Sequence, residues 1–248
     1  MSTFLISGGG TGIGKGIAIT LSKQGHTILL LGRNSETLEQ TRTMLTAESY
    51  SIVADIRDRT SLARAANQLG SFTIDGIIAN AGIGGENHWG IDDRWDDIIE
   101  TNLTGTYNTI FTFLPFLNKS KAEFKHILVI SSVLARLGVA KYSAYCASKA
   151  GLLGLVRSMA IDFAPDNILV NAICPGWVET EMSNKGMVEI AKRIGITRSE
   201  FFEEAMKDVP LGKMSQPEEV AQLVAYLLSQ QSITGQAIDI NNGSVMNS

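Results

Sequence analysis

The chain has 248 residues, 44% hydrophobic and 19% charged, enough to bury a sizeable core and within the reach of one large α/β domain. A formal net charge of -4 leaves no basic footprint for nucleic acid or an anionic membrane surface. No repeat, biased tract or proline-rich linker divides the sequence, so a single domain over residues 1–248 that handles small molecules is the expectation.

The first predicted strand, residues 3–7, runs into the loop SGGGTGIGKG. Gly9, Gly14 and Lys15 meet most of a P-loop, but that motif next requires a hydroxyl to ligate magnesium, and Gly16 has no side chain. No register completes the GxGxxG fingerprint. GxxxGxG is met by Gly8, Gly12 and Gly14, between a strand and a predicted helix over 14–24. Glycines in that position let the backbone approach a pyrophosphate, whose charge the helix start stabilises. A ligand-free glycine turn is the alternative.

The second strand, 27–31, ends at Arg33, 19 residues after Gly14, where a dinucleotide fold reads the adenosine ribose. An acid there would bind the 2′-hydroxyl of NAD, whereas an arginine pairs with the 2′-phosphate of NADP; no Asp or Glu follows until Glu36, so NADP(H) is favoured over NAD(H). A solvated surface arginine is the competing reading. A helix over 35–46 leads to strand 50–54 and Asp55, an acceptor for an adenine amino group or simply a turn residue. After a helix over 61–69, the fourth strand, 76–80, ends in ANAG.

His88 and Trp89, in the glycine-containing loop that follows, are candidate pocket residues, with a solvated histidine and a packing tryptophan as the plain alternatives. Asp92, Asp93, Asp96 and Asp97 read as helix-start acids rather than an acid/base pair. The next helix spans 95–117 and contains Asn102, and the fifth strand, 126–131, delivers Ser132 to its C-terminal end. Helix 143–163 carries Tyr145 and Lys149, four apart and hence on one face. An ammonium beside a phenol is expected to lower the phenol's pKa toward neutrality and suit it to proton exchange with a carbonyl or alcohol oxygen. An exposed amphipathic pair is the commoner use of that spacing.

Strand 168–173 opens into CPGWVET, and Trp177 and Met182, entering the insert that follows, are further candidates for the pocket or for ordinary packing. Residues 181–211 form a charged, helical insert placed to cover a site as a lid. Its Lys185, Lys192, Arg193 and Arg198 suit a solvated face better than a docking patch. Ser215 and Glu218 are expected to form a capping box around Pro217 for the helix over 217–228, before strand 237–240. Near-continuous apolarity in the seven strands indicates burial on both faces: an α/β, Rossmann-type, doubly wound parallel sheet.

Cys146 and Cys174 lie in apolar runs with no metal or redox spacing, and His26, His88 and His126 are dispersed, so no metal is expected. The start, MSTFLIS, has no basic segment, and the aliphatic runs at 28–31 and 127–130 are too short to span a bilayer. A soluble cytoplasmic protein is expected.

SGGGTGIG, NAG at 80–82, Asn102, Ser132 and YCASK at 145–149 together resemble the short-chain dehydrogenase/reductase family, and NAICPGWVET and ITGQAIDINNG extend the resemblance over the chain. Ser7 for the usual threonine, one asparagine in ANAG and the tail NNGS depart from the pattern without touching the chemistry. The resemblance implies that Tyr145 exchanges the proton, Ser132 binds the substrate oxygen, Lys149 holds the nicotinamide ribose, and Asn102 orders a water leading to solvent. It further implies cofactor contacts from Gly8, Gly10, Thr11, Gly12, Ile13 and Gly14, and on the adenosine side from Arg33, Asn34, Asp55 and Ile56. Asn80, Ala81 and Gly82 join them, with Pro175, Gly176, Val178 and Thr180 beside the nicotinamide.

The implied activity is NADP(H)-dependent interconversion of a small ketone or aldehyde with an alcohol, in a homo-oligomer, tetramer or dimer, packed through the helices of Asn102 and Tyr145. A 3-oxoacyl (β-ketoacyl) thioester reductase is the alternative. Carrier-dependent members present basic residues where this chain has Glu123 and Asp166, which favours a free substrate. A non-catalytic NADP-sensing protein is the reading from another class; such proteins tend to lose the tyrosine or lysine, and both are present.

Overall fold

The computed structural model describes residues 1–246, so the last two residues of the expected domain lie outside the described residues. Strands β1 (Thr3–Ser7), β2 (Thr27–Gly32), β3 (Ser49–Val53), β4 (Gly76–Ala79), β5 (Lys125–Ile130), β6 (Ile168–Pro175) and β7 (Ala237–Ile240) form one parallel sheet, ordered β3-β2-β1-β4-β5-β6-β7. Helices α1 (Gly12–Lys23), α2 (Ser35–Arg42), α3 (Arg59–Gln68), α4 (Trp95–Ile99), α5 (Gly105–Asn118), α6 (Ser143–Phe163), α7 (Glu181–Ile194), α8 (Arg198–Lys207) and α9 (Pro217–Leu228) connect them.

Alternation along each strand builds two cores. Leu5, Leu29, Ile77, Ile127 and Val129 face one side, against Leu62 of α3, Phe113 of α5 and Leu152 of α6. Their neighbours Phe4, Ile6, Leu30, Ile78 and Leu128 face the other, against Ile17 of α1, Leu38 of α2 and Val224 of α9. The interiors of the central strands are thereby covered twice, which is why their sequences are apolar at consecutive positions. The expectation of burial on both faces fails at the edges, where β3 exposes Tyr50 and Val53 and β7 is only partly buried. Gly16 has its own explanation on this side: a Cβ there would lie 3.0 Å from Pro217, so its small size lets α1 pack on α9.

The strand order reverses between β1 and β4, and the crevice beyond their C-terminal ends is where open α/β sheets bind ligands. Residues 179–214 leave the main body at a bridge in which Ser215 N–H donates to the Trp177 carbonyl (2.8 Å) and Glu179 N–H donates to the Ser215 carbonyl (2.9 Å). The returning limb is held by the loop after β7, where Leu211 N–H donates to the Asn242 carbonyl (3.2 Å) and Asn242 Nδ2 to the Lys213 carbonyl (3.0 Å). Within this excursion α7 and α8 enclose a small core of Met187, Met206, Val209 and Met214.

Three further expectations need correction. The helix expected over 95–117 is split: Glu100–Thr104 forms a π-helical turn between α4 and α5. The helix expected over 35–46 ends at Arg42. The capping box before α9 lies one residue later than expected, with the Glu219 carboxylate accepting from Gln216 N–H at 2.6 Å, because Pro217 occupies the first helical position after Gln216 rather than after Ser215.

Candidate active site

The glycine loop is shaped by close approach. Gly8 (φ 66°) and Gly12 (φ 52°) adopt left-handed backbone, and a Cβ on Gly14 would sit 2.2 Å from the Gly8 carbonyl oxygen. Asn80 Nδ2 donates to the carbonyls of Ser7 (3.0 Å) and Gly8 (3.2 Å), while Ser7 Oγ accepts from the N–H groups of Asn80 (3.0 Å) and Ala81 (3.1 Å). The NAG segment, with Gly82, thus braces the loop. Thr11 precedes α1 without a side-chain cap, leaving the first-turn N–H groups of a twelve-residue helix unsatisfied by the protein at the crevice. That end fits a pyrophosphate. Across from it, the Thr180 side chain lies 3.3 Å from the position of a Cβ on Gly12.

On the adenosine side, Arg33 follows β2, with its side chain 57% exposed and 4.0 Å from Asp55. No acid shares its position, as a 2′-phosphate requires. Asn34 is already used: its Oδ1 accepts from Glu36 N–H (2.9 Å) and Thr37 N–H (3.2 Å) and caps α2. Asp55 is used as well, its carboxylate forming a forked pair with Arg57 (2.8 Å from Nη2) that holds its pKa below the usual range. Ile56 is buried beneath Gly105.

Four elements converge at the other end. Ser132 follows β5, where its Oγ accepts from Leu134 N–H (3.1 Å), and its hydroxyl lies close enough to that of Tyr145, in the first turn of α6, to pull the phenol's pKa down. One turn on, Lys149 Nζ lies 5.6 Å from the Tyr145 ring centroid and donates to the Ile130 carbonyl (2.9 Å). Ser131 Oγ, from the end of β5, donates to the Lys149 carbonyl (2.9 Å) and ties the helix to the strand. Burial pushes the Tyr145 phenol up to about 12, against the pull of Ser132, and pushes the Lys149 ammonium down to about 8. The expected lowering of the phenol toward neutrality is therefore not found: desolvation outweighs an ammonium that is itself desolvated and not in contact with the hydroxyl.

Asn102 sits, fully buried, in the π-helical turn. Its Oδ1 accepts from Ile83 N–H (2.8 Å), and its Nδ2 donates to the Ile83 carbonyl (3.0 Å) and to Ser148 Oγ (3.1 Å). Both Nδ2 hydrogens are thus engaged in joining the segment after NAG to α6, and the widened turn is what carries the side chain there. Such single π-turns recur at functional sites.

Pro175 ends β6, Gly176 packs where a Cβ would lie 2.9 Å from Asn241 Cα, and Val178 is buried in the bridge at the base of the insert. Thr180 caps α7 reciprocally with Ser183. The substrate-side candidates divide. Met182 lies over Gly84, its Sδ 3.3 Å from the position of a Cβ there, so α7 reaches across to the loop after β4. Trp177 packs on the insert's small core. Trp89 is 100% exposed, and His88 turns to the Glu86 carboxylate (3.4 Å). Glu86 also forms an ion pair with Arg193 of α7. Glu86 and Asn87 had no motif to mark them in the sequence; only their contacts reveal them.

Comparison with known proteins agrees with this geometry. A family model described as enoyl-(acyl carrier protein) reductase matches residues 8–244. The chain belongs to the short-chain dehydrogenase/reductase family. A Streptomyces virginiae protein described as a ketoacyl reductase of the monensin polyketide synthase is 33% identical over 96% of this chain and 95% of its own. The 3-oxoacyl-[acyl-carrier-protein] reductase FabG of Thermotoga maritima is 31% identical over 98% of this chain and 97% of its own. Among solved structures, a variant of the actinorhodin polyketide ketoreductase with NADPH superposes with a TM-score of 0.90 at 29% identity, over 98% of this chain and 97% of that one.

Proposed function

We propose that this chain is an NADP(H)-dependent oxidoreductase that interconverts a small ketone or aldehyde with the corresponding alcohol. The observation that carries the reading is the placement of Tyr145 beside Ser132, with Lys149 one turn on and 5.6 Å from its ring centroid, at the sheet edge where the glycine loop opens. Bound at that loop, the dinucleotide supplies or accepts the hydride. Gly8 to Gly14 and the start of α1 would hold its pyrophosphate, Arg33 its 2′-phosphate, and Lys149 its nicotinamide-side ribose.

The protein's own part is proton transfer and positioning. With its pKa at about 12, Tyr145 is protonated at neutral pH and ready to give its proton to a substrate oxygen held by Ser132. We assign the insert 179–214 the role of lid, supported by its narrow base and by Met182 and Arg193 reaching the loop after β4.

A free carbonyl is preferred over a carrier-bound one because the insert's cations are largely engaged: Lys185 with Glu181 (2.8 Å), Arg193 with Glu86, Arg198 with Asn184 (2.6 Å). Glu123 and Asp166 do not enter this argument as expected. They precede β5 and β6 and so lie at the sheet edge opposite Tyr145, away from a carrier docked at this chain's own crevice. The ketoacyl reductase relatives favour a second reading, a 3-oxoacyl thioester reductase.

Tyr107, Phe111 and Phe163 form a partly exposed aromatic row on α5 and the end of α6 (centroids 4.4 and 6.0 Å apart), which supports a homodimer or tetramer packed through these helices. Both cysteines are free thiols, which a reducing cytoplasm preserves. No helix among the described residues is long and apolar enough to cross a membrane. The test is NADPH oxidation by the purified protein with a panel of ketones, aldehydes and an acetoacetyl thioester. Turnover of free carbonyls above the thioester is expected; thioester turnover far above every free carbonyl would select the second reading, and no turnover of any member contradicts both.

A further inference from the structure

Helix α6 has no cap of its own: Tyr142, the residue before it, offers no side-chain acceptor to its first turn, and Lys141 just upstream is held at φ 68°. The acceptor comes from 57 residues away. Asn87, buried in the loop after β4, accepts at Oδ1 from Ala144 N–H (2.9 Å) and from Ser143 Oγ (3.1 Å), and its own N–H donates to the Lys141 carbonyl (2.8 Å). One residue therefore grips segment 141–144 at three points. The orientation of its amide is fixed from behind, where Nδ2 donates to Asp93 Oδ1 (3.3 Å). That same oxygen accepts from Trp95 N–H (3.1 Å) at the start of α4.

We infer that Asn87 is a positioning residue for the reaction: by capping α6 from the substrate-side loop, it sets the height and rotation of the first turn, and with it the Tyr145 hydroxyl opposite Ser132. The next residue after the capped amide is the tyrosine itself. Because reacting groups must sit within a fraction of an ångström of their productive placement, a loosened first turn acts on the chemical step more than on dinucleotide binding, whose phosphate contacts at the glycine loop and Arg33 lie at the other end of the crevice. The inference rests on Tyr145 being the proton-exchanging group.

The test compares the wild type, Asn87→Ala, Asn87→Asp and the double variant Asn87→Asp/Asp93→Asn, each with NADPH and either 2,3-butanedione or S-acetoacetyl-N-acetylcysteamine. Asn87→Asp keeps the acceptor for α6 but faces Asp93 with a like charge; the double variant restores a donor behind it. Loss of the cap is expected to lower kcat about tenfold while KM for NADPH stays within about twofold, with a larger primary isotope effect from 4-deuterated NADPH. Asn87→Asp should recover part of kcat and the double variant nearly all of it.

An Asn87→Ala protein with undiminished kcat would overturn the inference. So would a loss of kcat and NADPH affinity in equal measure that the double variant does not repair, which is the behaviour of a merely structural residue. Amide hydrogen exchange reads the placement without turnover. Faster exchange in Asn87→Ala confined to residues 141–146 is expected, and unchanged exchange there contradicts the inference even if the wild type reduces neither probe.

Discussion

The two ends of the crevice are built by different means. At the nucleotide end, shape comes mainly from backbone: Gly8 and Gly12 take left-handed conformations, and Gly14 lets two chain segments touch within a few residues of sequence, with Asn80 and Ser7 supplying a long-range side-chain brace. At the catalytic end, shape comes from side chains that cross long stretches of chain, as with Asn102 to Ile83 and Ser148, Ser131 to Lys149, and Asn87 to the first turn of α6. A site that needs only a cavity for phosphate can be written locally. One that must hold a phenol, an amine and a hydroxyl in register needs several elements at once.

Substitutions on either side should separate the two. The largest effect is expected from Gly14→Ala, whose methyl would overlap the Gly8 carbonyl oxygen. Backbone on one side and Asn80 on the other cannot yield, so a loss beyond the usual ~1–3 kcal/mol of overpacking is expected, read as a lower urea midpoint together with lost NADPH binding. Retained binding at full stability would show that the loop is looser than its contacts imply.

Beneath the catalytic end, His126 on β5 is buried with Nδ1 unpartnered, and burial takes its pKa down to about 4. Its folded value lies below the unfolded ~6.5, so as pH falls the unfolded chain takes up the proton first. The contribution is fully present above pH ~6.5 and is lost as pH falls toward ~4, by up to roughly 3 kcal/mol. Urea denaturation across that range should show the slope in the wild type and a flatter one in His126→Leu.

Back at the nucleotide end, Arg33→Ser should weaken NADPH by about 10–100-fold, the worth of a charged hydrogen bond to phosphate, and leave NADH little changed. Equal weakening of both would place the 2′-phosphate elsewhere. The smallest effect is expected from Asn34→Ala, which removes the cap of α2 at a cost of about 1 kcal/mol, seen as a modest fall in thermal midpoint.

The same contrast explains what was legible in the sequence. Strands emerged within a residue or two because double burial leaves an unbroken apolar run, and the glycine loop because its backbone demands permit few residue types. Tyr145, Lys149 and Ser132 stood out through the resemblance to the family's pattern, since the spacing of the first two alone suits an exposed helical pair as well. The π-helical turn was hidden, since nothing local in ETNLT favours it; it exists because Asn102 reaches Ile83 and Ser148. Asn87 was hidden for the same reason, and the rise of the Tyr145 pKa depends on burial that the spacing of two residues does not express.

The central claim is that Tyr145 exchanges a proton with a substrate oxygen beside Ser132 at a separately built dinucleotide site. The direct measurement is Tyr145→Phe, with turnover and NADPH affinity taken on the same preparation. A fall in kcat of about 10²–10⁴-fold with NADPH binding within about twofold of wild type is the predicted result. Turnover near the wild-type level in that variant would contradict the account.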